Sequence, residues 1–190
     1  MKKNLVTAFL MTIATTVLLG IIYPLVVTAV AQLLFKDKAN GQLRYRNGEA
    51  IGSRILAQPF TSPKYFHPRP SNAGNGYDAA NSGGTNYAST NQKLIDRVRV
   101  DAASLQQENP SQPVPVDLIT TSASGLDPEI SPAAADFQVP RIARERGISE
   151  SALRALIQKH TTQRDLGLLG EPRVNVLELN LDLDQSTAKP

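Results

Sequence analysis

The sequence predicts an α+β protein in which a single N-terminal transmembrane helix is followed by one mixed α+β soluble domain. Three observations predict it. No charged side chain occurs from Leu5 to Phe35, a run long enough to cross a bilayer. The remainder mixes capped amphipathic segments with short alternating ones. These follow one another without the regular strand, helix, strand order of a parallel sheet.

Composition narrows the chemistry. The 190 residues include no Cys and only 2 His, which removes disulfides, thiol nucleophiles, Cys-based zinc sites and His-rich metal centres. No metal site is expected. The net charge of +3 reflects 20 Lys and Arg against 17 Asp and Glu, and Lys2 and Lys3 precede the apolar stretch, so the rest of the chain is nearly neutral. Polyanion binding needs cations clustered on one face, so no nucleic-acid partner is expected.

As a helix the apolar run reaches roughly 46 Å, more than the ~30 Å hydrocarbon core requires. Pro24 should kink it, and Thr12, Thr15, Thr16 and Gly20 offer a face small enough for close packing on a neighbouring helix. The rival reading is a cleaved signal peptide, with Lys2 and Lys3 as its basic start and Ala29-Val30-Ala31 as its small-residue site. The run is far longer than a secretory core of ~7–15 residues, which favours an uncleaved anchor over residues 1–35 embedded in membrane lipid. Lys36, Lys38, Arg44 and Arg46 slightly outnumber the cations before the span. That bias has little force, because residues 36–190 can cross as a domain whatever their flanking charge.

In the soluble part, Asn47-Gly48 between Leu43 and Ile51 predicts two short strands around a tight turn. Pro59, Pro63, Pro68 and Pro70 impose an extended path. Residues 71–91 hold many Asn, Gly and Ser and form a long loop. Asn91 or Thr90 caps a helix whose apolar face, Leu94, Ile95, Val98, Ala102 and Leu105, packs on the domain, and Asn109-Pro110 ends it. Val116 to Thr120 reads as a short strand. Ser131-Pro132 opens a helix that Pro140 interrupts and Gly147 closes, and Ser149 caps the next, with Leu153, Leu156 and Ile157 inward. Val174 and Val176, then Leu177, Leu179, Leu181 and Leu183, alternate in two phases, which predicts a strand with either a β-bulge at Val176-Leu177 or a fully buried end.

Candidate chemistry is sparse. Neither a P-loop nor a dinucleotide fingerprint is present. Ser82-Gly83-Gly84-Thr85-Asn86 offers backbone N–H groups to a phosphate, or is a turn. His67 and Ser71 resemble a base and nucleophile but lack a third, orienting group, so no catalytic residue is assigned. The structural reading has Tyr65 and Phe66 anchor the loop while His67 and Arg69 bond carbonyls of the Asn/Gly segment or a partner surface. His160 caps a helix C-terminus. Arg141 to Lys159 has a helix-turn-helix outline, but Glu145 and Glu150 sit among Arg141, Arg144 and Arg146.

Taken in order, several runs carry a resemblance: Tyr23-Pro24 in the span, Gly52-Ser53, Gln58-x-Phe60, Tyr65-Phe66-His67-x-Arg69-Pro70-Ser71, Ser82-Gly83-Gly84-Thr85-Asn86, Thr90-Asn91, Ser122 to Asp127, and Val174-Asn175-x-x-Glu178-Leu179-Asn180. Over nearly its whole length the chain closely resembles the C subunit of the bacterial Kdp potassium-transporting P-type ATPase. Thr85 stands where Ser is commoner in that family and keeps the hydroxyl.

The resemblance implies a non-catalytic accessory subunit of the bacterial inner membrane, with its N-terminus cytoplasmic and residues 36–190 periplasmic. Implied partners are a channel-like K+-translocating subunit, a P-type ATP-hydrolysing subunit and a small hydrophobic subunit. It further implies a catalytic chaperone that raises the ATP affinity of the hydrolysing subunit, with Ser82 to Asn86 compared to an ATP-binding-cassette signature. A periplasmic domain cannot touch cytoplasmic ATP, so the expectation is no tightly bound cofactor, ATP and K+ being used by the complex. The alternatives are a stand-alone membrane-anchored envelope enzyme and a nucleotide-binding subunit.

Overall fold

A computed structural model describes residues 1–187, and the chain divides into two compact units, Met1–Leu43 and Arg44–Pro190. In the first, α1 (Lys2–Thr15), a π-helical stretch (Thr16–Ile22) and α2 (Tyr23–Leu34) run on as one helix of 33 residues. It is long and apolar enough to cross a membrane, and none of its residues is buried. The disturbance expected at Pro24 takes the form of the wider turn ahead of it. Proline lacks an N–H and its ring crowds the carbonyl four residues back, a strain that a locally widened helix relieves. Tyr23 N–H accordingly donates to Leu18 O, five residues earlier. A single turn, α3 (Lys36–Ala39), follows.

The second unit is α+β, with more residues in helix than in strand. Strands β1 (Leu43–Arg46) and β2 (Glu49–Ser53) form a hairpin. Asn47 and Gly48 at its tip have φ of 54° and 84°, the left-handed pair that a two-residue turn matched to strand twist requires. Residues 54–91 then run without helix or strand. Asn91 begins α4 (Gln92–Glu108) by accepting the Lys93 N–H at 2.9 Å. The predicted apolar face of α4 is only half-buried, and Leu105 is its residue packed against the core.

Val116 to Thr120 is not a strand. Val116–Leu118 is a 3-10 turn, because the Val116 carbonyl is claimed locally by the Ile119 and Thr120 N–H groups and the Thr120 hydroxyl. The Asp117 carboxylate turns away to accept from Ser131 N and Oγ at 2.7 and 3.2 Å. Beyond β3 (Glu129–Ile130) come α5 (Pro132–Phe137), α6 (Val139–Arg146) and α7 (Glu150–His160). Ser131 and Ser149 cap α5 and α7 through their hydroxyls, and Leu153 and Ile157 are buried with Leu156 packed beside them.

The C-terminal segment departs furthest from expectation. Only β5 (Arg173–Asn175) is a strand; Val176 opens α8 (Val176–Thr187) in place of a bulged strand. The buried set Val176, Leu177, Leu179, Asn180 and Leu183 has helical spacing. Asn175 Oδ1 accepts the Glu178 N–H at 3.1 Å, an N-cap bond that stops the strand and starts the helix. Strand β5 is central in an antiparallel sheet of order β3-β5-β4, with β4 at Thr161–Thr162. Val174 pairs with Ile130 on one side and Thr161 on the other. Helices α5 to α8 gather round it, burying Phe137, Val139, Ile142, Leu153, Leu179 and Leu183. Each such side chain contributes roughly 1.5–3 kcal/mol.

Candidate functional site

The Tyr65 to Ser71 segment is irregular backbone crossing a helical core, so its polar groups must find partners there. Two carboxamides supply them. Asn180 of α8 accepts the Phe66 N–H and donates to the Phe66 carbonyl, both at 2.9 Å. Gln138, between α5 and α6, does the same for His67, accepting its N–H at 2.8 Å and donating to its carbonyl at 3.1 Å. Phe66 is fully buried between these clips. The Tyr65 ring lies under the Arg146 guanidinium at 4.7 Å, and its hydroxyl donates to Asp184 at 3.2 Å.

His67 Nε2 lies 3.1 Å from Ser62 O, an oxygen that only accepts, so this nitrogen carries the proton. The acceptor therefore lies five residues back on its own strap and not in the Asn/Gly segment. Burial, and after it the nearby Arg141 charge, holds the imidazole below its ordinary value. Arg69 likewise bonds outside the Asn/Gly segment. Its Nη1 donates to Asp127 at 3.0 Å, and its other nitrogens reach Thr120 O, Thr120 Oγ1 and Thr121 O at 3.4 Å. A forked guanidinium can hold a carboxylate and several carbonyls together, which a lysine cannot.

Ser71 ties the strap to two further loops. Its hydroxyl donates to Gly125 O at 2.6 Å and accepts the N–H groups of Ala73 and Tyr77 at 3.2 and 2.8 Å. Its proton thus goes to a carbonyl and is not shared with an imidazole. Tyr77 returns over the strap to donate to Arg69 O at 2.9 Å. Pro70 is half-buried between these anchors.

The Ser82 to Asn86 run is drawn into the same knot. Ser124 O accepts both the Ser82 hydroxyl at 3.0 Å and the Gly83 N–H at 2.9 Å, and Asn72 Nδ2 donates to Gly84 O at 3.1 Å. The Gly83 N–H is thereby spent on backbone and not offered to a phosphate. Gly125 has φ 67°, and a Cβ there would come 2.7 Å from Ala73 N and Gly83 O. Only glycine lets the three loops close so tightly. Thr85 is half-buried, and Asn86 has φ 53°.

The other singled-out side chains are also spent within the fold. Arg141 is buried, bonded to Glu108, Gln138 and the carbonyls of Pro63 and Tyr65, so it offers no phosphate contact. Arg146 bonds Lys64 O and Asp184. His160 does not cap carbonyls; its Nε2 meets Asp182 at 2.7 Å. In the apolar helix, Thr12 and Thr15 bond back to Ala8 O and Met11 O, and Gly20 stands beside Thr16, a Cβ on it lying 3.8 Å from the Thr16 methyl. Thr12, Thr16, Gly20 and Pro24 are spaced four apart. Nothing local in the sequence marks Gln138 as a site residue, and Asn180 is marked only by its place in the Val174 to Asn180 run.

An apolar helix long enough to cross a membrane, followed by an α+β domain whose motif loops bind one another, is the class of protein the fold and the site define. Comparison with known proteins is specific. The family model described as K+-transporting ATPase, c chain (KdpC), matches residues 5–185. The chain is 66% identical to the potassium-transporting ATPase KdpC subunit of Koribacter versatilis, covering 100% of this chain and 98% of that one. It is 55% identical to the protein of that name from Acidobacterium capsulatum, over 96% of this chain and 98% of the relative. For the Rhodopseudomonas palustris protein of that name the identity is 52%, over 97% and 98%. The chain belongs to the KdpC family of K+-transporting ATPase subunits.

Proposed function

We propose that this chain is a non-catalytic accessory subunit of an ATP-driven, high-affinity K+ uptake complex in the bacterial inner membrane. Its helix docks on the K+-translocating subunit, beside the P-type ATP-hydrolysing subunit and a small hydrophobic subunit. The domain after the helix stands on the periplasmic side, steadies the assembly and thereby supports, or chaperones, ATP-coupled transport. ATP and K+ are handled by the complex, with no cofactor held tightly by this chain.

The observation that carries this reading is the spending of motif chemistry on internal backbone. The polar groups of His67, Arg69, Ser71 and Gly83 that a reaction would need are bonded within the fold, His67 to a carbonyl five residues back and the others to the Asp127 carboxylate or to carbonyls of neighbouring loops. Such a knot holds a surface in one shape, which suits docking better than turnover.

Protease treatment of intact spheroplasts and of inverted vesicles tests the topology. Cleavage of residues 44–187 in spheroplasts alone is the expected result, and cleavage in inverted vesicles alone overturns it. His67→Ala and Arg69→Ala are expected to lower co-purification of the other subunits and K+ uptake. Turnover by the purified full chain, free of other subunits, overturns the non-catalytic assignment.

A further inference from the structure

Strands β4 and β5 are joined by a reversal whose tip reads Asp165-Leu166-Gly167-Leu168-Leu169-Gly170. Asp165 and Leu169 close it as an antiparallel bridge, their reciprocal N–H to O bonds measuring 2.8 and 2.9 Å. Arg164 pairs with Glu171, and Arg173 reaches Glu129 at 3.1 Å and Asp165 at 3.5 Å. The base is thus held by backbone bonds and ion pairs. Yet Leu166, Leu168 and Leu169 stand outward, 90%, 82% and 62% exposed. Leu166 also sits at φ 54°, in the left-handed region that Gly or Asn fills with less strain. A turn needed only to reverse the chain would take Gly or Asn at 166 and polar residues at 168 and 169.

We propose that this leucine tip is a docking knob that enters an apolar pocket on another subunit of the transporter; the proposal rests on the chain's place in that complex. Charge decides between protein and lipid as the occupant. Tips that seek a membrane surface carry Trp, Tyr or cations free to meet headgroups. Here Arg164 and Arg173 are held by carboxylates, and the side chains of Asp165 and Glu171 are 68% and 77% exposed beside the leucines. Paired in this way, the tip offers no net positive charge to anionic headgroups. Area decides against a second copy. Three side chains fall far short of the ~800 Å² per partner of a self-sufficient interface. A small preformed knob works where another tether, here the apolar helix, already holds the partners at high local concentration.

The test uses the whole complex, purified in detergent through a tag on this chain. A photo-crosslinking residue, Leu168→p-benzoylphenylalanine, is expected to form a covalent adduct with another subunit, identified by mass spectrometry. Leu168→Asp and Leu166→Gly are each expected to cut recovery of the other subunits about tenfold, the factor for 1.4 kcal/mol. Leu166→Gly also relieves the backbone, so the chain's melting temperature is expected to hold or rise while recovery falls, which separates docking from folding. Adducts with lipid alone, with a second copy alone, or with nothing, in an intact complex, overturn the proposal. If the unsubstituted chain retains no other subunit, its place in the complex fails, and the knob with it.

Discussion

Phe66 and Asn180 exchange two hydrogen bonds, each 2.9 Å long, as paired residues do in a β-ladder, although one partner is a side chain. Both residues are buried, at 0% and 1% exposure. Asn180→Ala leaves a buried N–H and a buried carbonyl without partners, each costing about 1–3 kcal/mol. The expected loss is about 2–4 kcal/mol, read as a lower urea midpoint for the full chain in detergent. An unchanged midpoint would mean that the Phe66 backbone does not depend on the clip.

Gly125→Ala is expected to open the three-loop knot. It places a Cβ 2.7 Å from two backbone atoms at a φ of 67°, and the strain should cost about 2–4 kcal/mol. Limited proteolysis between residues 71 and 91 should quicken. Gly83→Ala is the control, since its Cβ would meet nothing within 4 Å. Equal proteolysis rates for the two variants would refute the close-packing account.

Acid should loosen the same region. His67 is held below its ordinary value of 6.5 by burial and then by Arg141, with the Ser62 carbonyl and Glu108 acting the other way. Below 6.5 the unfolded imidazole takes a proton that the folded one resists, so the unfolded chain binds more protons. Stability from this group is therefore complete above 6.5 and is lost as pH falls toward the folded value. The melting temperature should decline below about pH 6.5, and His67→Gln should flatten that part of the decline. An identical slope in the variant would remove His67 from the explanation.

Arg69→Lys keeps the charge but loses the fork that joins Asp127 to Thr120 and Thr121. A loss of about 1–2 kcal/mol is expected for this half-exposed group, with Arg69→Ala at least as damaging. Denaturant unfolding measures it, and equality of Lys with Arg would mean that charge alone holds the loop.

Local chemistry made much of the second unit legible. Asn47-Gly48, Asn91, Ser131-Pro132 and Ser149 mark turns and caps because their side chains or backbone freedom act on residues close by. The start of α8 was readable as well, since Asn175 and Glu178 have capping-box spacing. It was hidden because Leu177, Leu179, Leu181 and Leu183 alternate as a strand does, while the residues that helical burial selects include the polar Asn180. Leucine suits either state, and tertiary contact decided. The site's logic lies further out of reach. Gln138 meets His67 across 71 positions and Asn180 meets Phe66 across 114. A carboxamide carries no sign of which distant strap it will grip.

The widened stretch from Thr16 to Ile22 has a geometric effect beyond Pro24. Each residue of an α-helix advances the azimuth by about 100°, so one residue absorbed into a broader coil turns everything beyond it by about that angle. A stripe continued by counting from Thr12 or Thr15 therefore misses its mark past Tyr23. Neighbours in the two bilayer leaflets would meet this rod on different sides, as though two short helices had been joined with a quarter twist.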